Sequence, residues 1–326
     1  MEARVYAEDP FRNFLPSIGR LVRYQEPAAS AHVRVDSGVG EGDEISMYYD
    51  PMIAKLIVSG ETRDAAIRHM GEALDAYYIR GVSHNIPFLN AVISHQRFID
   101  GDISTAFIDE TYGDGFSLAH MAQKDPALFV SVAAVTRAIE ARELPVTGSF
   151  VATIRDGESV GYEIEPNQAV QADSAGKGAH WVIRMAGATH HIVMDWRPGA
   201  PLCLGRLNGA PFCVQLDRAG EWRRLGHGGR QADILILSER GAALNRLMLR
   251  KEPPDLSRFL LSPMPGLLVQ LAVSVGDTVK AGQTLAVVEA MKMENILRAE
   301  QDGVVQTVHA AEGESLSVDQ SILEFE

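Results

Sequence analysis

The sequence is poor in the residues that would commit it to several common classes. Only two cysteines, Cys203 and Cys213, occur in 326 residues. A disulfide scaffold needs a dense, even set and a structural zinc site needs close Cys or His pairs, so neither is supported and no metal centre is expected. A reducing compartment is the natural expectation, either cytoplasm or, in a eukaryote, the mitochondrial matrix. No run approaches the roughly 18–20 apolar residues of a spanning helix, so no membrane association is expected. Met1-Glu2-Ala3-Arg4-Val5-Tyr6 lacks the apolar core of a signal peptide and reads as a strand entered part-way, as if the chain began inside a domain. Positive charge is also scarce: 30 Lys and Arg against 43 Asp and Glu give a net charge of −13. Nucleic-acid binders draw affinity from neutralised phosphates, so no nucleic-acid partner is expected.

What is present is ordinary globular composition, 46% hydrophobic and 22% charged, and the length predicts about two or three domains. Residues 1–112 read as α+β. Strands are expected at Val33–Val35, Ile45–Tyr49 and Ala54–Val58, with turns such as Gly38-Val39-Gly40-Glu41-Gly42 between them. Thr62 caps a helix whose apolar positions Ile67, Met70, Leu74 and Tyr77/Tyr78 recur at helical spacing, with Gly81 as the stop. A second helix runs from Pro87 to His95. Residues 113–250 begin with a helix, Asp125 to Arg142, and continue with strand-like segments at Gly148–Arg155, Val160–Ile164, His180–Met185, His190–Trp196, Pro211–Leu216 and Gln231–Leu237. The separators Asp156-Gly157, Ala186-Gly187, Asn208-Gly209 and Ala219-Gly220 are hairpin-turn chemistry, so an antiparallel barrel or sandwich packed on the helix is expected. Residues 251–262, with Pro253-Pro254-Asp255, read as a linker, and residues 263–326 as a small all-β module.

That module contains an internal repeat at an offset of 37 residues. Gly266 aligns with Gly303, Leu267-Leu268 with Val304-Val305, Gly276-Asp277 with Gly313-Glu314, Val279 with Leu316, Gln283 with Gln320, and Leu285 with Ile322. Neither half can bury its apolar face alone, so two small sheets packed about a pseudo-two-fold are expected. The halves are joined through Glu289-Ala290-Met291-Lys292-Met293-Glu294-Asn295, where a hairpin centred on Met291-Lys292 or Lys292-Met293 is expected. A tight hairpin turn favours Asn-Gly or Gly-Gly, and neither is present. An isolated Met-Lys-Met would be read as an exposed lysine between core methionines. At the seam of a repeat, the lysine reads instead as an amine wanted at an exposed tip. Acylation removes its charge, which lets the finished arm enter an apolar site without the desolvation cost of an ion. The flanking methionines offer adaptable contacts to a modifying enzyme.

Glu289-Ala290-Met291-Lys292-Met293, preceded by Ser262-Pro263-Met264-Pro265-Gly266, resembles the biotinyl domain of biotin-dependent carboxylases, a flattened all-β barrel shared with lipoyl domains. The resemblance implies covalent biotin on Lys292, placed by a biotin protein ligase, with Ala290, Met291 and Met293 as the flanking residues of the site. Glu2 to Pro10, Asn13-Phe14-Leu15-Pro16-Ser17 and Tyr48 to Leu56 resemble the C-terminal third of the biotin carboxylase domain, an ATP-grasp fold. There Arg4 matches the arginine that stabilises the biotin enolate near bicarbonate, a role suited to a permanently charged fork of donors. An arginine next to an acidic strand is otherwise read as a surface ion pair. The middle zone resembles, through domain order and length, the subunit-bridging domain of the α subunit of propionyl-CoA carboxylase, a β-barrel around a helix that docks on the carboxyltransferase β subunit.

The glycine-rich lid, metal-binding glutamates and base of the ATP-grasp core are absent, so ATP and Mg would act only through a separate remainder of the biotin carboxylase domain. The resemblance therefore implies a biotin carboxyl carrier and assembly portion of an acyl-CoA carboxylase, most simply for propionyl-CoA, incomplete for biotin carboxylation alone; acyl-CoA would be met indirectly, on the transferase. A lipoyl carrier of a dehydrogenase complex and a non-catalytic assembly protein are the alternatives. His190-His191, His180 and His227 do not read as a metal site, because adjacent strand residues point to opposite faces.

Overall fold

The computed structural model describes every residue except 47, 114, 122–125, 142–146, 156–158, 167–178, 249–255, 257 and 291–292. The first unit runs β1 (Glu2–Tyr6), β2 (Glu8–Asp9), β3 (Leu15–Pro16), β4 (Gly19–Arg20), β5 (Arg23–Gln25), β6 (Val33–Ser37), β7 (Glu44–Ile45), β8 (Met52–Val58), α1 (Arg63–Ala76), β9 (Tyr78–Arg80), α2 (Ile86–Ser94), α3 (Gln96–Asp100) and α4 (Phe107–Tyr112). β8, apolar at every position but Lys55, is the centre of an antiparallel sheet ordered β1-β8-β6. Helix α1 starts at Thr62, whose hydroxyl accepts the Ala65 N–H at 3.2 Å, and Asp64 adds an anion to its positive end. It buries Met70, Ala73 and Leu74 in one core with Val5, Ala54, Leu56 and Val58.

Two sequence expectations fail in this unit. The helix ends at Ala76 rather than near Gly81, because Tyr77 turns to extended backbone and Tyr78–Arg80 pairs with Arg23–Gln25 as β9. The tyrosine pair kept helical spacing by accident. Among the described residues of Ile45–Tyr49, only Ile45 pairs, as part of Glu44–Ile45 with Gly19–Arg20, and Tyr48 and Tyr49 are 71% and 76% exposed ahead of a turn in which Asp50 accepts the Met52 N–H.

The second unit opens with α5 (Ala127–Glu140), within the predicted Asp125 to Arg142 stretch. Strands β10 (Gly148–Ile154), β11 (Ser159–Pro166), β12 (Ala179–Met185), β13 (Ala188–Asp195), β14 (Leu202–Leu207), β15 (Ala210–Ala219), β16 (Trp222–His227) and β17 (Arg230–Ser238) follow, and pairing of β17 with β10 closes them into a barrel. Every residue from Val130 to Thr136 is buried, and the helix shares one core with Ile183, Ile192, Met194, Val214, Leu225 and Ile234 of the wall. A helix that is apolar all round is the signature of such a plug. Trp181 and Trp196 lie in the same core. Ala186-Gly187 (φ 49° and 78°) and Asn208-Gly209 (φ 53° and 86°) turn in the left-handed region, as primed hairpin turns require. The third turn centres on Gly220-Glu221, since Ala219 pairs with Trp222; Asp156-Gly157 lies outside the described residues. Helix α6 (Glu239–Asn245), capped by the Ser238 hydroxyl, closes the unit.

The two units meet where the end of α1 rests on β15 and the β16–β17 turn. The Asp75 carboxylate accepts the Gly228 N–H at 2.6 Å and lies 2.8 Å from His227 Nδ1. Gln215 Nε2 donates to the carbonyls of Asp75 (3.1 Å) and Tyr77 (3.0 Å), satisfying groups that a helix end leaves bare. Arg80 grips Asp217 through Nε (2.9 Å) and Nη2 (2.6 Å).

The third unit comprises β18 (Phe259–Leu261), β19 (Gly266–Leu271), β20 (Thr278–Val279), β21 (Thr284–Ala290), β22 (Met293–Arg298), β23 (Gly303–Val308), β24 (Ser315–Leu316) and β25 (Ser321–Phe325). Phe259–Leu261 falls in the stretch read from sequence as linker; its pairing with β25 makes it part of this module. The sheets are ordered β18-β25-β23-β20 and β22-β21-β19-β24. The 37-residue offset carries each strand of one sheet onto the strand at the same place in the other. Its mates Leu268 and Val305, Val279 and Leu316, and Leu285 and Ile322 are all within 2% of full burial. Turn chemistry repeats as well: Gln283 accepts the Lys280 N–H at 3.0 Å, and Gln320 accepts the Ser317 N–H at 2.9 Å.

Candidate functional site

The candidate site sits where the repeat halves join. Strands β21 and β22 pair through Val288 with Asn295, Glu289 with Glu294 and Ala290 with Met293. Met291 and Lys292 lie between these pairs and outside the described residues, as do the turn centres read from the sequence. Ala290 is 2% exposed and belongs to the module's core, so the last paired position admits only a small side chain. Met293 is the first residue of β22 and pairs with it through the backbone.

Next to this pair, Glu289 and Glu294 stand directly opposite each other. Like charges in that arrangement weaken a hairpin, and here they give its end an acidic flank. The hairpin is braced by the preceding segment. Ser262 is fully buried and its hydroxyl donates to the Met264 carbonyl at 2.7 Å. Met264, 1% exposed, receives the Asn295 side-chain amide on its sulfur at 3.5 Å. Gly266 passes so close to β21 that a Cβ there would lie 2.7 Å from both the Glu289 carbonyl oxygen and Val288 Cγ1. The sequence Ser262-Pro263-Met264-Pro265-Gly266 thus acts as a rigid strap on the strand that leads to Lys292.

Arg4 belongs to the first unit. It stands in β1 directly across from Lys55 of β8, with its side chain 58% exposed and Nε 3.4 Å from Glu2 Oε1. Hydrogen bonding to Tyr6 and then to Glu2 favours its charged form. Among the described residues, no hydrogen bond or ion pair joins Arg4 to the hairpin of the third unit. The two sequence-predicted sites therefore lie in separate units.

Several residues of consequence were not singled out from the sequence. Asp75, Arg80, Gln215 and Asp217 form the junction, and His227, weighed as a metal ligand, instead reaches Asp75. Between these groups and α2 lies a cleft of about 600 Å³ lined by His84, Asn90, Arg80 and Asp217 among others. Burial, and then the neighbouring Arg80 charge, hold the His84 imidazole down at about 4. His190 is buried while His191 is exposed. Among the described residues, no group of three or more His, Cys, Asp or Glu is placed to hold a metal ion, and no helix is long and apolar enough to cross a membrane. Cys203 pairs with Val214 and Cys213 with Leu204, so the two thiols lie on opposite faces of the barrel wall; burial pushes both up to about 12.

Comparison with known proteins divides the chain in the same way. The family described as biotin carboxylase C-terminal domain matches residues 2–110, the propionyl-coenzyme A carboxylase BT domain matches 130–251, and the family described as biotin-requiring enzyme matches 259–325. The propionyl-CoA carboxylase alpha chain of Ruegeria pomeroyi is 41% identical over 357 residues, covering 100% of this chain and 51% of that protein. The mitochondrial alpha chains of Homo sapiens and Mus musculus are each 40% identical, covering 100% of this chain and 46% of theirs. The chain thus spans about half the length of the curated relatives it matches.

Proposed function

The chain belongs to the propionyl-CoA carboxylase alpha-chain family, as a counterpart of its C-terminal part, and from that premise we propose that it is the carrier and assembly portion of a biotin-dependent acyl-CoA carboxylase. Biotin is held as an amide on the Lys292 side chain, attached by a biotin protein ligase. The barrel unit docks on a carboxyltransferase β subunit, and the first unit completes a biotin carboxylase domain with residues supplied by the remainder of the assembly. Bound biotin supplies a ureido nitrogen that accepts and gives up a carboxyl group. Propionyl-CoA is the acyl-CoA that the relatives' names favour.

The observation that carries this reading is the register of the third unit. Ala290 and Met293 are cross-strand partners, which leaves Met291-Lys292 as the link between the two halves of a repeat. A normal lysine amine is neutral less than about once in a thousand at pH 7, so a ligase must receive it in its own site and remove a proton. A two-residue link at the end of a braced hairpin suits that need. Arg4, exposed on the outer side of its sheet, is suited to meet an oxyanion there once the rest of the carboxylase domain covers it. Tethering the carrier in the same chain raises the local concentration of biotin at both reaction sites.

Co-expression of the whole chain with a biotin protein ligase tests the proposal. Intact mass is expected to rise by one biotinyl group, with capture on streptavidin, and Lys292→Arg is expected to abolish both. A lipoyl-sized increment, or no increment with the fold intact, would overturn it.

A further inference from the structure

The β2–β3 hairpin of the first unit has a backbone that its sequence does not favour. Asn13 (φ 53°) and Phe14 (φ 57°) both sit in the left-handed region, although neither is glycine. For a bulky residue such as Phe14 this is a strained conformation, kept only where the surroundings over-determine it. The tip is tied down accordingly. Asp9 accepts the Phe11 N–H on its side chain (3.0 Å) and the Phe14 N–H on its carbonyl (2.8 Å). Phe14 packs edge-on against Phe88 with ring centroids 4.8 Å apart, inside the first unit.

The consequence of the twist is that the next residue faces the other way. Leu15 is packed against the core cluster of the third unit, and among the described residues it is the one hydrophobic side chain from outside residues 259–326 to join that cluster. Arg12, at the same tip, lies 3.8 Å from Asp319. Asp319 marks a particular end of the carrier. Its N–H donates to the Ser262 carbonyl (2.9 Å), and Ser262 leads through Met264 to Asn295, three residues past Lys292. The charges also suit each other: residues 259–326 hold ten acidic and three basic side chains, a net of −7, against the guanidinium of Arg12.

We infer that the strained β2–β3 hairpin is a docking surface for the chain's own carrier module, which it receives by the end at which Ala290 pairs with Met293. Leu15 supplies the apolar contact and Arg12 the electrostatic one. The strain at Asn13 and Phe14 is what separates Phe14, an anchor within the first unit, from Leu15, a contact offered to the carrier. The purpose of the docking rests on the carrier reading given above, but the docking itself does not require that Lys292 be modified. A test that reads motion rather than biotinylation therefore lets the two readings fail separately.

The test is ¹⁵N relaxation on the whole, unbiotinylated chain. Amides of the carrier strands are expected to report the same slow rotational correlation time as those of the barrel. In Leu15→Asp the carrier value is expected to fall severalfold while the barrel spectrum stays in place. Arg12→Glu, an exposed change that leaves the fold intact, is expected to shorten it partially, with recovery in the Arg12→Glu/Asp319→Arg double variant. A spin label on Val318→Cys, an exposed site, in a Cys213→Ser background that removes the half-buried native thiol while Cys203 is fully buried, is expected to broaden the amides of residues 11–15. Independent tumbling of the carrier in the unmodified chain overturns the inference, as does an unchanged correlation time in Leu15→Asp. Absence of broadening at residues 11–15 overturns it even if Leu15→Asp fails to fold.

Discussion

Gly266 illustrates how a single position brings the strap and the hairpin together. A methyl group there would meet the Glu289 carbonyl and Val288 at 2.7 Å, and neither can swing away without disturbing β21. Gly266→Ala is expected to destabilise the carrier by about 1–3 kcal/mol, measured by urea unfolding followed at carrier amides. His84 carries a pH dependence. Its folded value of about 4 lies below the ordinary 6.5, so between those limits the unfolded chain binds more protons. This contribution to stability is complete above about pH 6.5 and is lost as pH falls toward 4, by at most about 3 kcal/mol. Melting temperatures taken across that window should drop more steeply for the native chain than for His84→Gln. The pairing of β21 with β22 was legible in the sequence because a repeat framed the segment that joins its halves. His84 was not, since its shift arises from burial in a cleft between units that no local pattern announces.

At the scale of elements, the barrel shows why some strands could be read and others not. β12 and β13 carry the apolar runs Trp181-Val182-Ile183 and Ile192-Val193-Met194 and were anticipated, joined by a hairpin turn at Ala186-Gly187. β16 was missed because one of its two inward residues is Arg223, buried beside Glu140 of the central helix, which leaves Leu225 as the strand's single buried apolar residue. β14 was missed as well; it contains Gly205, placed where a Cβ would fall 2.2 Å from the Val193 carbonyl oxygen. The helix-to-barrel junction was equally hidden, being built from single residues far apart in the chain. Its strength lies in half-buried charge pairs rather than in apolar area. Arg80→Ala is expected to cost about 1–3 kcal/mol, because it leaves Asp217 with only the Tyr78 hydroxyl as a first-unit partner. Faster amide exchange at the end of α1 and at Gly228, with the barrel interior unchanged, would mark the effect as local to the junction.

At the scale of the whole molecule, the main cores of the three units differ in construction: a helix on a sheet, a barrel filled by a helix, and two small sheets face to face. The order of the units was readable from composition and turn spacing. Their mutual contacts were not, because Arg12, Leu15, Asp75 and Asp217 look like ordinary surface residues until the fold brings them together. The carrier's strand order holds one more consequence. Each sheet takes two strands from each half of the repeat: β18 and β20 join β23 and β25 in one, and β22 and β24 join β19 and β21 in the other. The module is therefore in effect a strand-exchanged dimer whose two copies happen to share a chain, and the Met291-Lys292 link is the only covalent reason they stay paired. If so, the chain divided between Met291 and Lys292 should reassemble when the two pieces are co-expressed, recovering the carrier amide spectrum, whereas either piece alone should leave its half of the repeat unfolded. The residue proposed to carry the chemistry would then be the one that assembly of its own domain can do without.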